Sequence, residues 1–198
     1  MPIFASEGDN RSGKTLSIAL LGWIAYNQGI PVYCACPMGN DGRIRHIINY
    51  KHIDIEPSEI WQTDLEDCVL LEDEFDMLAD SRMNWDKKIR LHRYFNNQAK
   101  KRGVNWLWTA IRHKNIDIQI RQNPDYIIEN HRIPKDWRYP LQAIKWKVWN
   151  RFSEKSKTIY IMQPWRFFPI YNHKLGIPPP EIAMPKPSNA ELFKQVIG

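Results

Sequence analysis

The sequence has no apolar run long enough to cross a bilayer and only a few cysteines. Its longest apolar stretch, around residues 16–24, is well short of the roughly 20 residues that a membrane-spanning helix needs. The N-terminus lacks the charged and then apolar order of a secretory signal peptide. Cys34, Cys36 and Cys68 form neither an even disulfide framework nor a paired zinc cluster. We therefore expect a soluble, intracellular protein with reduced cysteines and no membrane insertion.

Neither disorder nor a second large domain fits the composition. The chain has 198 residues, of which 43% are hydrophobic and 25% charged, and these values are ordinary for a globular protein. A chain of this length forms one compact domain. Its formal net charge of +6 favours a polyanionic partner such as nucleic acid, although a solvated basic surface accounts for the same excess.

A glycine-rich motif, G-x-x-x-x-G-K-T, follows an apolar N-terminal segment that predicts a short strand, and it opens an apolar helix. In this context the loop's N–H groups and the helix N-terminus point at negative charge, so the motif predicts a site for the phosphates of ATP. Lys14 is expected to reach the β- and γ-phosphates, and the Thr15 hydroxyl to bind Mg²⁺. The residues expected to contact the nucleotide are Gly8, Asp9, Asn10, Arg11, Ser12, Gly13, Lys14, Thr15 and Leu16.

Three acidic residues follow the apolar run 68–71, which is typical of a buried parallel strand. A carboxylate at such a strand end completes a magnesium shell, and its neighbour orients or deprotonates the attacking water. We assign Asp73 to magnesium and Glu74 to the water. Glu72 is also available, because adjacent strand residues point to opposite faces.

The alternation of strand and helix patterns predicts an α/β fold: a P-loop NTPase with a mainly parallel central sheet flanked by helices. Strands are expected at 31–36, 68–71, 104–109 and 125–129, and helices at 15–27, 44–50 and 86–101, with one or two helical turns within 115–122. Segments 143–149 and 158–163 predict an antiparallel hairpin at the sheet edge. We expect an ATPase domain over residues 1–164 and a Pro-rich tail over 165–198, with a possible terminal helix at 189–197.

The order of several motifs resembles a known family. The run from Leu71-Glu72-Asp73-Glu74-Phe75 to Asp80-Ser81-Arg82, then Asn97-Gln98-Ala99-Lys100-Lys101-Arg102-Gly103, Thr109-Ala110 and Ile116-Asp117 are similar to the small ATPases related to the FtsK and HerA DNA pumps. The genome-packaging ATPases of archaeal turreted icosahedral viruses resemble the chain in length and layout. The zonula occludens toxin family of filamentous-phage ATPases is a more distant likeness, and the resemblance covers about residues 1–130.

The resemblance implies an ATP-driven translocase of double-stranded DNA that packages a viral genome and works as a ring of identical subunits, expected to be a hexamer. It implies an arginine that reaches the γ-phosphate of the neighbouring subunit. The candidates are Arg82, Arg102, Arg112 and Arg121, of which Arg82 and Arg121 are preferred. It further implies a host-cytoplasmic location, transiently at the assembling virion, and docking on a capsid or internal-membrane protein.

The chain departs from this family at two positions. Ile111 stands where a polar γ-phosphate sensor follows Thr-Ala, so sensing falls to Thr109 or another group, with Arg112 the nearest replacement. Gln119 stands where the family has a first arginine after Ile-Asp, which leaves Arg121 alone.

Basic residues form two groups that are candidates for contacting DNA phosphates without reading bases. One group lies on and just after the helix at 86–101 and consists of Lys87, Lys88, Arg90, Arg93, Lys100, Lys101 and Arg102. The other group marks the hairpin and consists of Lys145, Lys147 and Arg151. Solvated lysines and core or subunit-contact tryptophans explain the same pattern.

Two other functions stay open. One is a zonula occludens toxin-like phage assembly ATPase. The other is a small P-loop kinase of nucleosides or nucleotides, although the sequence shows no arginine-rich lid segment of the kind that such a kinase needs.

Overall fold

The computed structural model describes residues 2–35, 47–77 and 87–171. The strands are β1 (Phe4–Glu7), β2 (Val32–Ala35), β3 (Ile53–Ile55), β4 (Val69–Glu72), β5 (Asn105–Ala110), β6 (Tyr126–Ile133), β7 (Ala143–Asn150) and β8 (Lys155–Met162). The α-helices are α1 (Lys14–Asn27), α2 (Lys87–Ala99) and α3 (Ile118–Arg121), and 3-10 helices lie at Pro57–Glu59, Phe75–Met77, His113–Asn115 and Pro164–Ile170.

The strands form one sheet in the order β3-β2-β4-β5-β1-β6-β7-β8. Strands β1 to β6 run parallel, and β7 and β8 extend the sheet antiparallel from β6. This confirms the predicted fold class, a mainly parallel α/β sheet flanked by helices with a C-terminal antiparallel hairpin. The loop after β1 lies near the middle of the sheet, where a neighbour on each side brings its carboxyl end to the same edge.

Each face of the sheet carries its own apolar core. On one face α1 packs against residues that include Phe4, Leu71 and Trp146. The other face holds a cluster with Ala5, Trp106 and Trp108. Neighbouring residues of a strand therefore belong to opposite cores, as the alternation of side chains in a strand requires.

The apolar residues of α1 surround the helix because it is covered on both sides. Its inner side faces the sheet, and its outer side meets Ile48, Tyr50 and Ile170, all of which are buried in the same cluster. Ile170 ends the 3-10 helix Pro164–Ile170, where the proline density had indicated no regular structure. Pro164 is tolerated because the first turn of a helix has no acceptor for its missing N–H, whereas Pro169 stands inside this helix.

Three local expectations differ from the structure. The helix expected over 44–50 is absent from the part that is described, residues 47–50, where Ile48 instead forms a bridge to Tyr171. The short strand β3 was not predicted. It has only three residues and pairs only with β2 at the sheet edge, so the sequence carries no clear strand pattern there. Cys34 is disulfide-bonded rather than reduced, whereas Cys68 is free and buried.

The C-terminal part of the chain is described only as far as residue 171. The predicted tail and its terminal helix at 189–197 lie outside the described residues, and the division at residue 164 stays a prediction. Among the described helices, none combines the length and apolar character needed to cross a membrane.

Gly22 is where α1 approaches its neighbours most closely. A Cβ there would lie 2.5 Å from Tyr50 Oη and 2.9 Å from Leu71 Cδ1. We expect Gly22→Ala to lower the free energy of unfolding by about 1–3 kcal/mol through overpacking, although alanine favours a helix over glycine by about 1 kcal/mol. Urea denaturation measures this change.

A double-mutant cycle with Tyr50→Phe separates the two contacts. That substitution removes the hydroxyl that donates to the Ala19 carbonyl at 3.0 Å, so Gly22→Ala should cost less in its background. An increase in stability for Gly22→Ala alone would contradict the close packing.

Candidate nucleotide-binding site

The phosphate loop, residues 8–15, runs from the end of β1 to the start of α1 and is enclosed by β6 and β7. Gly8 has φ 150° and Gly13 φ 104°. A Cβ at Gly8 would lie 2.6 Å from the Asn130 carbonyl oxygen, and one at Gly13 would lie 2.5 Å from Ile144 Cδ1. Both positions therefore require glycine, for backbone conformation and for space.

The start of α1 leaves its N–H groups open. Gly13 is the N-cap residue, it provides no side-chain cap, and the first turn contains no acidic residue. The amides of Lys14, Thr15 and Leu16 are first-turn donors without an intrahelical acceptor. Together with the helix dipole they favour an anion at this point. Leu16 itself contributes only its amide, because its side chain is 2% exposed.

Lys14 lies over the loop, and its Nζ donates to the Asp9 carbonyl at 3.1 Å. Burial lowers the pKa of Lys14, while the carboxylates of Asp73, Asp76, Glu74 and Asp9 oppose that shift. A partly desolvated ammonium gains strongly from an anionic ligand, since the low local polarity strengthens the attraction.

Asp73 is held between two hydroxyl groups. The Thr15 hydroxyl lies 3.0 and 3.2 Å from its carboxylate oxygens, and the Thr109 hydroxyl donates to Asp73 Oδ1 at 2.5 Å. Thr109 also accepts a hydrogen bond from the Glu74 N–H at 2.9 Å. The phosphate loop and β5 thus both contact the carboxylate of Asp73, which directly follows β4.

Glu74 has a left-handed backbone, with φ 53°. Non-glycine residues adopt this conformation at a cost of roughly 1 kcal/mol or more, and here the hydrogen bond to Thr109 holds it. The side chain is exposed.

Glu72 lies on the other face of the sheet, away from the phosphate loop. It is fully buried, accepts a hydrogen bond from Trp106 Nε1 at 3.0 Å, and lies 3.4 Å from His92 Nε2. Alternation along β4 therefore directs Glu72 into the core beneath α2 and places Asp73 beside Thr15.

A buried chain of hydrogen bonds fixes β1, α1 and β6 together below the loop. Asn130 Nδ2 donates to Ser6 Oγ at 2.8 Å, Ser6 and Ser17 hydroxyls lie 2.6 Å apart, and Ser17 donates to the Lys14 carbonyl at 2.6 Å. Since each hydroxyl carries one proton, the direction runs from Asn130 through Ser6 and Ser17 to the loop. This rigid base was not apparent from the sequence, because its members are far apart in the chain.

Two further residues reach the site without having been predicted. Asp76 accepts a hydrogen bond from the Ile111 N–H at 3.0 Å and acts electrostatically on Lys14. At the predicted sensor position, Ile111 therefore contacts the site through its backbone N–H, and its side chain is exposed. Burial and, secondly, the charge of Asp73 raise the pKa of Tyr171 to about 12. Asp76 lies within the run 71–82 that carries the family resemblance, whereas no sequence signal pointed to Tyr171.

The donor set fits a nucleotide with magnesium. Thr15 and Asp73 are adjacent oxygen donors of the kind that Mg²⁺ prefers, and such ions take only one or two protein ligands beside phosphates and water. The Ser12 hydroxyl is buried and has no hydrogen-bond partner among the described residues, as expected of a group aimed at a ligand. In the described parts of the chain, no group of three or more His, Cys, Asp or Glu could hold a metal by itself.

The candidate arginines within the described residues, Arg102, Arg112 and Arg121, lie away from this site. Arg82 lies outside the described residues. Arg102 is 3.7 Å from Asp64 at the opposite edge of the sheet, near the start of β5. Arg121 is on the face opposite α1, where its Nη1 donates to the Lys114 carbonyl at 2.9 Å. Arg112 is exposed just beyond β5.

Arg112 and Arg121 meet at one cleft of about 560 Å³. Lys114 and Arg151 line it as well, and Arg151 donates to the carbonyls of Gln122 and Arg121. The acid there, Glu7, accepts a hydrogen bond from the His113 N–H at 2.8 Å, and burial raises its pKa. Because Glu7 shares the strand face of Ala5, this cationic cleft lies behind the phosphate loop rather than in it.

Several residues expected to face DNA have internal partners. Arg93 makes two hydrogen bonds to the buried Asp117, at 2.6 and 2.9 Å, and Lys100 binds Asp125 at 2.6 Å. Trp146 is buried under α1. Lys87 and Lys88 have side chains outside the described residues.

Comparison with known proteins finds similarity in structure. No family model and no curated protein matches the sequence. The genome packaging NTPase B204 from Sulfolobus turreted icosahedral virus 2, in complex with ATP-gammaS, superposes with a TM-score of 0.58 and 15% identity over 79% of this chain and 96% of that chain. The N-terminal domain of zonular occludens toxin from Neisseria meningitidis superposes with a TM-score of 0.60 and 12% identity. This match covers 86% of this chain and 98% of that chain. At the level of the fold, these likenesses confirm both resemblances inferred from the motifs.

His113, at the cationic cleft, should make stability depend on pH. Burial, and then the charges of Arg151 and Arg121, lower its pKa from 6.5 to about 4. Between these values the unfolded chain binds a proton that the folded chain does not, so stability falls as the pH falls from 6.5 towards 4.

Replacement by glutamine isolates this contribution. Wild type should lose more free energy of unfolding between pH 7 and pH 5 than His113→Gln, as measured by urea denaturation at each pH. The other ionisable groups are the same in both proteins, so their contributions cancel in the difference. Equal losses in the two proteins would show that His113 titrates normally.

Proposed function

We propose that the chain is an ATP- and magnesium-dependent ATPase that drives double-stranded DNA into a viral capsid. The observation that carries the ATPase part is the placement of Asp73 between the Thr15 and Thr109 hydroxyls, directly beside a glycine loop at an uncapped helix start. Phosphoryl transfer needs mainly positioning and charge stabilisation, and this arrangement offers both.

The roles follow from the positions of the side chains. Lys14 and the first-turn amides bind the β- and γ-phosphates, and Thr15 and Asp73 hold the magnesium, whose charge offsets that of the phosphates when it is bound. Glu74 orients the attacking water and accepts its proton as the water oxygen bonds to the γ-phosphorus. The bond from that phosphorus to the β–γ bridging oxygen then breaks, and ADP leaves. Thr109, which is hydrogen-bonded to the Asp73 carboxylate and to the Glu74 N–H, is placed to act as the sensor of the γ-phosphate.

DNA as the substrate rests on likeness and charge. The similar structure from Sulfolobus turreted icosahedral virus 2 is that of a genome packaging NTPase, and the motif order and the net charge of +6 point the same way. Action in the host cytoplasm, with transient docking on a capsid or internal-membrane protein, completes the proposal.

A ring of identical subunits is supported by the distribution of charge along the sheet. Beside β3 the chain carries Asp54, Glu56, Glu59, Asp64, Glu66 and Asp67 against Lys51. From β6 to the 3-10 helix at 164–170 it carries Arg132, Lys135, Arg138, Lys145, Lys147, Arg151, Lys155, Lys157 and Arg166 against Glu129, Asp136 and Glu154. Opposite charges at opposite ends favour head-to-tail contacts, which form a ring when the rotation between neighbours closes.

ATP hydrolysis with and without double-stranded DNA tests the catalytic assignment. Wild type should hydrolyse ATP faster with DNA of any sequence, because phosphate contacts carry no base information. Lys14→Ala should abolish binding, whereas Glu74→Gln should bind ATP but lose about 10²-fold or more in rate. Phosphate release measures the hydrolysis rates, and isothermal titration calorimetry measures ATP binding by the two variants.

Two results would count against this function. Hydrolysis that is independent of DNA at every protein concentration would remove the main support for a motor. Transfer of phosphate to a nucleoside instead of water would favour the kinase.

Arg121 is proposed to act on the nucleotide of the neighbouring subunit, since it lies on the face opposite its own phosphate loop. Arg121→Ala should lose roughly 10³-fold in rate. Mixing the Arg121→Ala and Lys14→Ala proteins should restore activity. In a mixed ring, Arg121→Ala subunits supply an intact phosphate loop and Lys14→Ala subunits supply an intact Arg121. Arg102→Ala is the matched control and should retain activity.

The mixture discriminates between the candidate arginines. If Arg121→Ala alone keeps wild-type activity, Arg82 takes its place. If Arg121→Ala loses activity and mixing it with Lys14→Ala restores none, the proposal that Arg121 acts on the neighbouring subunit is wrong.

A further inference from the structure

The loop between β6 and β7, residues 134–142, presents exposed aromatic side chains next to the phosphate loop. Trp137 is 64% exposed and Tyr139 60% exposed. The Arg11 guanidinium carbon lies 5.4 Å from the centroid of the Trp137 ring. Because Arg11 lies between Gly8 and Gly13, the indole stands beside the position that the phosphates would occupy.

This aromatic loop is held in place from within. Arg132 Nη2 donates to the Trp137 carbonyl at 3.4 Å and also to the Tyr139 carbonyl. Asp136 binds Arg138 at 2.7 Å and caps the turn through the Arg138 N–H at 3.0 Å. The strands that carry the loop touch the phosphate loop at Gly8 and Gly13. The distance from Trp137 to the phosphate loop is therefore set by the packed backbone of β6 on one side and the Ile144 side chain of β7 on the other.

The contact between Arg11 and Trp137 is weak and exchangeable. Arg11 is exposed, and no ion pair of its guanidinium occurs within residues 2–35, 47–77 and 87–171. A cation over an aromatic ring at an exposed site contributes less than a base stacked on that ring. A nucleotide that brings both a base and phosphates can therefore replace this contact, with Arg11 turning to the phosphates.

We propose that Trp137 is the stacking platform for the base of the nucleoside triphosphate bound by residues 8–15. This inference rests on the proposed nucleotide site and adds the part that holds the base. Aromatic faces accept any base, so Trp137 contributes affinity without reading the edge of adenine. The contact is separable from phosphate binding, because tripolyphosphate carries the phosphates without a base.

The test compares ATP with tripolyphosphate by isothermal titration calorimetry, in the presence of magnesium. Trp137→Ala should weaken ATP binding by roughly 5- to 100-fold and leave tripolyphosphate within about twofold of wild type. Trp137→Phe should recover most of the ATP affinity, because a phenyl ring also stacks.

Phe152→Ala is the matched control. Phe152 is 80% exposed and faces Lys100 Nζ at 5.6 Å from its ring, so this variant also removes an exposed aromatic with a cation over it. It lies in the β7–β8 turn, at the far end of β7 from the aromatic loop, and should leave both affinities unchanged.

The outcomes separate the two proposals. If wild type binds neither ligand, the nucleotide site itself is wrong. If wild type binds both and Trp137→Ala leaves ATP affinity unchanged, the stacking role is wrong. If Trp137→Ala weakens ATP and tripolyphosphate equally, Trp137 acts only by positioning Arg11, and the base lies elsewhere.

Discussion

The phosphate loop has no room for a side chain at residues 8 and 13, because the backbone of β6 and a side chain of β7 stand against it. This close approach determines much of the rest. It brings the Asn130 amide to Ser6, and through Ser17 to the carbonyl of Lys14. It also explains why the antiparallel extension of the sheet belongs to the nucleotide site instead of being a separate appendage.

The alternation of side chains along the strands divides the chemistry between the two faces of the sheet. Asp73 and Thr109 fall on the face of α1, where the phosphates are expected, while Glu72 falls on the other face among buried aromatic rings. Glu7, from the strand that leads into the loop, faces the cationic cleft. One set of parallel strands thus supports a phosphate site on one side and a group of arginines on the other, with only the thickness of the sheet between them.

What could be predicted from the sequence is what depends on neighbours in the chain. The strand, glycine loop and helix around Lys14 are local, as is the acidic run that ends β4, and these were located correctly. Tyr171 and Asn130 could not be found, since they reach the site only through the packing of segments that are far apart in the chain. The basic residues of α2 show the same limit: composition marked Arg93 and Lys100 as candidates for DNA, but the fold uses them against Asp117 and Asp125.

The two edges of the sheet bear on how molecules of this kind can associate. β3 has three residues, and β8 carries Lys155 and Lys157 on its exposed border. Short strands and edge lysines are means by which proteins prevent another chain from adding to an open sheet. In the proposed ring, subunits would then meet through side chains rather than through shared backbone ladders, and such contacts can loosen and re-form.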